Sequence, residues 1–423
     1  MSSRWAGVVG LLLLAAFVVV VVVTTPWHPL PGSVPGGAVH PDAARDFTAA
    51  QIARESAYHS TIRPWGLGSL GLWLVTVVVL GFTSLGPRLV GRLPGRWLVR
   101  IALAAAGFAA VTTVITLPLD ARAHVIQRSY GLSTQGWGGW FADVGRGYVV
   151  GLVGTLLALL AVMGLARLMP RRWWIAAAGA GAALVIAGSF VYPLVVEPVF
   201  NRFHPLPAGP LRSELMALAA ADHVHLDDIL VSDASRRTTT DNAYVSGFGA
   251  SRRLVLYDTL LRHDTPAEIR VLTAHELGHV KNNDVLHGTL LGALAVAAAM
   301  CGAFVLFRDG ARLPRRLGAT GAADPRVVPV LLATYAVVSF AVAPVSNLVS
   351  RHIEARADAH SLMLTGESQV FIAAERKLAV HGLDDLEPPG VLYVLFATHP
   401  TAPQRIAMAR DYERQQAARA NGR

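Results

Sequence analysis

Seven stretches of the chain, at about residues 5–24, 67–86, 98–118, 148–168, 173–196, 285–307 and 327–349, are each apolar for some twenty residues. That length crosses the roughly 30 Å hydrocarbon core of a bilayer as a helix. Lipid offers no hydrogen bonds to the backbone, so such stretches are confined to helices that satisfy their own peptide groups. The composition agrees: 53% of the 423 residues are hydrophobic and only 15% charged, against about 25% charged in soluble domains. No Lys, Arg, Asp or Glu lies well inside any of the seven, which argues against the buried ion pathway of a transporter. The first stretch follows Arg4 and resembles a secretory signal in position. Its length, and the lack of an Ala-x-Ala site before Pro26, favour a retained helix.

The net charge of +9 is not a nucleic-acid footprint. Twelve arginines sit in the loops after spans two, four and six: Arg88, Arg92, Arg96, Arg100, Arg167, Arg171, Arg172, Arg308, Arg312, Arg315, Arg316 and Arg326. Short arginine-rich loops between spans are read as cytoplasmic and as contacts to anionic lipid headgroups. The one cysteine, Cys301, falls within span six, so neither an intramolecular disulfide nor a cysteine metal site is available.

The spans set the organisation. Residues 1–196 form a membrane region of spans one to five, with a Pro- and Gly-rich linker over 25–46 and an expected short surface helix over about 47–60. Residues 197–284 are polar with α+β texture, 285–349 hold spans six and seven, and 350–423 are polar again. In the first polar region "DDILVSD", "NAYVSGF" and "SRRLVLYDTLL" have strand character. Thr265, Pro266 and Glu268 then spell a capping box with proline at the first helical position, opening a helix to about Asn282 that carries "AHELGH".

His275 and His279 stand one turn apart on that helix and can direct ring nitrogens at a single ion, with Glu276 beside it. His-Glu-x-x-His on a helix is a zinc hydrolase pattern, but five residues with three fixed positions also arise by chance. A catalytic zinc needs a third protein ligand while keeping a fourth position for water. In "NLVSRHIEARAD", Asn347, Arg351, Glu354 and Asp358 fall on one helical stripe, and Glu354 is the third-ligand candidate. Two spans separate His279 from Glu354, and an even number returns the chain to the same side of the membrane.

These pieces, in this order, resemble the integral-membrane CAAX prenyl proteases, the Ste-type gluzincin zinc endopeptidases. The likeness extends to "AAQIARESAYHS", "LPLDARAHVIQRSYGLSTQGWGGWFAD", "VVEPVFNRFHPLPAGPLRSELMALA", "DNAYVSGFGASRRLVLYDTLL" and "FATHPTAPQRI". It implies a mostly α fold: seven transmembrane helices forming a barrel around a water-filled chamber, with a zinc-metallopeptidase domain split around the last two spans. It also implies site roles. His275, His279 and Glu354 would hold one Zn2+, Glu276 would be the general base, and Asp358 would orient a ligand histidine. His399 would stabilise the oxyanion, Asn242 would hold the substrate backbone, and Arg351 would pin the Glu354 helix. The expected partners are a peptide or protein substrate, lipidated or not, and the lipid bilayer, with no nucleic acid. Arg270, Lys281 and Asp284 in and beside the motif helix agree with a helix that faces water and not lipid.

Two questions stay open at the level of sequence. The arginine bias places the zinc region outside the cytoplasm, whereas the eukaryotic members of the family that the chain resembles place it in the cytosol, and loops one and three carry six arginines of their own. Only two of the 37 Lys and Arg residues are lysine, which points to a GC-rich, bacterial genome. Cleavage of prenylated CAAX-type substrates and general membrane-protein quality control are therefore both open, with a non-catalytic scaffold or transporter as the competing class.

Overall fold

The computed structural model describes residues 3–30, 39–247, 249–307 and 311–422. Arg308 and residues 31–38 of the linker lie outside the described residues. All seven apolar stretches are helical. The first five correspond to α1 (Ser3–Thr24), α2 (Ala49–Phe82), α3 (Trp97–Ser129), α4 (Trp137–Leu168) and α5 (Trp173–Val191), the second running on past Phe82 into a short helix from Leu85 and the fifth into a π-helical turn over Tyr192–Val196.

The segment expected to be a separate surface helix is instead the first part of α2, which runs unbroken through Pro64. Thr48 and Gln51 close a capping box at its start, and no glycine or proline interrupts the chain before Pro64. One proline in a long helix costs a single backbone hydrogen bond, which does not outweigh the packing of the whole helix.

The polar region then forms β1 (Phe203–Pro205), α6 (Pro210–Ala221), β2 (Asp228–Ser232), β3 (Ala243–Ser246), β4 (Arg253–Tyr257) and α7 (Leu260–His263). The sheet order is β1-β2-β4-β3: β2 and β4 are parallel, and each is flanked by an antiparallel edge strand. The three expected strands are present, and β1 is added at the edge, where its Pro205 is tolerated because one side of the strand has no ladder to supply. The motif helix is α8 (Pro266–Lys281), followed by span six as α9 (Asp284–Phe307).

Span seven is the upper part of α10 (Val328–Thr365), which continues without a break into the second polar region. Its 38 residues extend roughly 57 Å at 1.5 Å per residue, nearly twice the apolar thickness of a bilayer. It ends on Gly366, whose φ of 67° is the left-handed conformation that closes many helices. After it come α11 (Ser368–Gly382), α12 (Gly390–Phe396) and α13 (Ala402–Ala420).

The spanning helices neighbour one another in the order α1-α9-α5-α4-α3-α2-α10. This is a wall one helix thick. No more than a third of any spanning window is accordingly buried, and Val23, Leu168 and Tyr335 are each at least three-quarters exposed. Two apolar clusters close the ends. One joins Ala6, Ile101, Met163, Trp173, Phe304 and Val328 where the arginine-rich loops emerge. The other packs the sheet against α8, α11, α13 and the far end of α10 through residues such as Ile229, Leu254, Leu277, Leu362, Phe371 and Ile406. That second core is assembled from both sides of spans six and seven.

Candidate metal centre and active site

Helix α8 begins as the sequence spells it. Thr265 Oγ1 accepts from the Glu268 amide at 3.3 Å, and Glu268 Oε2 accepts from the Thr265 amide at 2.7 Å, satisfying two otherwise orphaned donors. The helix lies along α10, and Gly278 is the point of close approach. A Cβ there would stand 3.0 Å from His360 Cβ and 3.2 Å from Ala357 Cα. Ser361 Oγ ties the pair by donating to the Val271 carbonyl at 2.6 Å.

Across this contact His275, His279 and Glu354 converge. Glu354 Oε2 is 3.2 Å from His275 Nε2 and 3.5 Å from His279 Nε2, and the two Nε2 atoms are 3.2 Å apart. Each histidine is fixed from behind. His275 Nδ1 donates to Asp358 at 2.7 Å, and His279 Nδ1 donates to Asp284 at 2.9 Å. With Nδ1–H spoken for, each neutral ring presents the lone pair of Nε2 to the centre.

This set fits a divalent ion. Two ligands about 2.05 Å from a tetrahedral zinc stand about 3.3 Å apart, close to all three separations found here. Glu354 Oε2 is buried and makes no hydrogen bond among the described residues, although three imidazoles surround it. An orphaned buried carboxylate oxygen facing two lone pairs needs a cation between them. The electrostatics agree. Burial opposes the imidazolium form of His275, but Asp358 and Glu354 outweigh it and raise its pKa to about 9. At His279 burial is likewise outweighed, by Asp284 and Glu354, with a rise to about 10. The pocket recruits positive charge.

Glu276 faces the other side of the cluster. Burial pushes its carboxyl above the ordinary range, and the two histidines and the nearby Val245 backbone of β3 oppose the shift. It lines, with Val245, His279 and Asn283, a cavity of about 170 Å³. His399 stands opposite, with Nε2 3.3 Å from Glu354 Oε2 and its side chain more than half exposed. It opens on a cavity of about 830 Å³ that extends past Tyr393 and Asp384 to Arg63 and Leu70 of α2.

Arg351 donates to the carbonyls of Ala397 at 2.6 Å and Tyr393 at 3.2 Å and lies 4.5 Å over the Tyr393 ring. Asn347, one turn earlier, donates to Leu395 at 2.6 Å. Both tie α10 to α12 and so to the loop bearing His399. Asn242 immediately precedes edge strand β3. Its carbonyl accepts from Tyr257, its Oδ1 accepts from Ala243, and among the described residues no hydrogen bond joins its side chain to the histidine–glutamate cluster.

Four residues around this centre, Arg405, Glu375, Asp284 and Arg356, have no site role in the reading of the sequence. Arg405 on α13 donates to both oxygens of Asp358, through Nε at 2.8 Å and through Nη2, and pairs with Glu375 at 2.7 Å. Asp284 holds His279 and is itself held by Arg356. Arg405 sits in "THPTAPQR", six residues after His399 and just inside a helix capped by Thr401 and Gln404. That position on a capped helix is the available signal. For Asp284, the signal is an acidic residue at the start of span six, five residues beyond His279.

Comparison with known proteins agrees with this geometry. Residues 205–413 match the model of peptidase family M48, and residues 69–202 match that of the CAAX prenyl protease N-terminal region, five membrane helices. A Bacillus subtilis protein, described as the uncharacterized metalloprotease YhfN, is 32% identical over 72% of this chain and 71% of its own length. A CAAX prenyl protease 1 homolog of Arabidopsis thaliana is 32% identical over about half of each chain, 51%. The CAAX prenyl protease 1 of Saccharomyces cerevisiae is 28% identical over 52% of each. The crystal structure of S. mikatae Ste24p superposes with a TM-score of 0.76 over 97% of this chain and 99% of that one, at 20% identity, and so shares the fold. The chain belongs to peptidase family M48 and is a multi-pass membrane metalloendopeptidase.

Proposed function

We propose that the protein is a zinc-dependent endopeptidase that hydrolyses peptide bonds of membrane-associated peptides, prenylated CAAX-type C-termini among them. The observation that carries this reading is the convergence of two histidine nitrogens and one orphaned carboxylate oxygen beside a half-buried Glu276 and an open strand edge. The prenylated substrate class rests on the names of the plant and yeast relatives, and the cavity of about 830 Å³ between His399 and α2 gives an apolar substrate tail room on the membrane side.

In this reading His275, His279 and Glu354 hold the zinc. The metal, when bound, supplies Lewis acidity, acidifying water and polarising the substrate carbonyl. Glu276 takes the proton of the attacking water and passes it to the departing amine. Its burial-raised pKa suits a group that must both accept and release a proton near neutrality. Asp358 and Asp284 keep the two imidazoles in the Nδ1–H tautomer and so aim Nε2 inward. Edge strand β3 offers unpaired backbone groups to an extended peptide, which would lie beside Glu276 as an added strand, with Asn242 at the entry. His399 faces the carbonyl oxygen as charge develops there.

The test is cleavage of a farnesylated CAAX peptide, its non-prenylated counterpart and casein by purified wild type and Glu276→Gln. Cleavage of the farnesylated peptide by wild type alone supports the reading. Equal turnover of casein and the farnesylated peptide would move the assignment to general membrane-protein proteolysis.

A further inference from the structure

A second group of metal-type donors lies apart from the first. Asp241, His263 and His381 each place one donor atom within 4.8 Å of the others. Asp241 Oδ1 is 2.8 Å from His263 Nδ1, its Oδ2 is 2.7 Å from His381 Nδ1, and the imidazole centroids are 4.8 Å apart. From these residues we propose a second, structural binding site for a zinc-type divalent ion, formed by two imidazoles and one carboxylate and completed by water.

Three observations support it. The donor set is the imidazole and carboxylate mixture that borderline metals take. Access is graded: the Asp241 side chain is fully buried, while His263 and His381 are each more than one-third exposed, so an ion and its remaining water can enter from solvent against a fixed anion. Further carboxylates also stand close by. Asp264 and Glu268 stand next to the cluster, and Lys377 Nζ, 3.1 Å from Asp264 Oδ1 and 2.5 Å from Glu268 Oε2, is the cation set against them. Asp241, Asp264 and Glu268 thus bring three carboxylates to close quarters. Asp264 registers this: burial first, and then the charges of Asp241 and Glu268, push its carboxyl upward against the pull of Lys377.

Position gives the site its consequence. Asp241 directly precedes Asn242 and edge strand β3, His263 closes α7, and His381 lies in the last turn of α11. The first two precede spans six and seven in the chain, and His381 follows them. An ion here would clamp the start of the strand proposed to bind substrate and fasten together the two halves of the split peptidase region. Ion binding at Nδ1 moves each ring proton to Nε2. This inference does not depend on the catalytic assignment of His275, His279 and Glu354.

Elemental analysis of the full chain in detergent, stripped with chelator and reloaded with Zn2+, tests it. Two zinc ions per chain are expected for wild type, one for His263→Gln/His381→Gln, and one for His279→Gln/Glu354→Gln. In the last background, added Zn2+ should still raise the unfolding temperature, and Asp241→Asn, which keeps the shape of the side chain, should abolish that rise. An undiminished count in His263→Gln/His381→Gln would overturn the proposal. So would a zinc-dependent rise that survives Asp241→Asn.

Discussion

Replacing Gly278 with alanine separates what helix packing contributes to the metal centre from what it contributes to stability. The added Cβ would lie 3.0 Å from His360 Cβ, 3.2 Å from Ala357 Cα and 3.3 Å from His360 Cδ2, each a few tenths of an ångström inside ordinary contact. His360 has little freedom to retreat, since its Nε2 is held 2.9 Å from Asp222, and Ala357 presents backbone. The helices must therefore part. Overpacking of this kind costs about 1–3 kcal/mol, and removing a mid-helix glycine returns up to about 1 kcal/mol, so global stability changes little. The metal centre has no such offset. His275 and His279 sit beside Gly278 on α8, Glu354 sits one turn from Ala357 on α10, and ligand distances tolerate only about 0.2 Å. A roughly tenfold loss of metal affinity is expected, measured by competition with a chromophoric chelator, with an unfolding temperature within a few degrees of wild type. Gly288→Ala, where a Cβ meets nothing within 4 Å, should leave metal affinity unchanged. If Gly278→Ala binds metal as tightly as wild type, the close approach of α8 and α10 does not set the centre.

The remaining expectations are direct. Glu276→Gln should retain stoichiometric metal while kcat falls by about 10²–10⁴ or more; loss of the metal would show Glu276 acting as a ligand. Because His275 and His279 hold protons up to about 9 and about 10 in metal-free protein, metal binding below those values must displace one or two protons. Affinity should therefore rise about 10–100-fold per pH unit between pH 6 and 8, and a flat profile in chelator competition would contradict the site. Arg405→Met leaves Asp358 and Glu375, both essentially inaccessible, without their shared cation and should cost about 3–5 kcal/mol; thermal unfolding at wild-type temperature would remove Arg405 from the framework of the centre. A topology reporter fused after Arg423 should be active on the non-cytoplasmic side if the arginine-rich loops govern orientation, and cytoplasmic activity would show that packing overrides them.

The linear pattern carries much of this protein because its strongest signals are local. Apolar runs too long for anything but spanning helices, the Thr265–Glu268 box and the i, i+4 histidines each express constraints acting within a few residues of backbone. Parity of the spans adds one long-range fact, that the helices bearing His279 and Glu354 emerge on the same side. Pattern fails where the partner lies far away in sequence. Arg405 is 47 residues from Asp358, and nothing in the periodicity of either helix registers their pairing. The 34-residue continuity of α2 was hidden for a different reason: a proline and a polar surface mimic a helix end, and only packing decides whether the backbone continues.

The sequence by itself determined the seven helices, the split of the polar region around the last two and the donors capable of holding a metal, because propensity, hydrophobic length and residue chemistry are properties of the chain. Tertiary structure alone decided that α8 and α10 meet at Gly278, that Glu354 Oε2 is left without a hydrogen bond between three imidazoles, and that Asp241, His263 and His381 meet at a second point. Those depend on distances between segments separated by tens to more than a hundred residues, which are fixed only when the two halves of the peptidase core bury their apolar faces against each other.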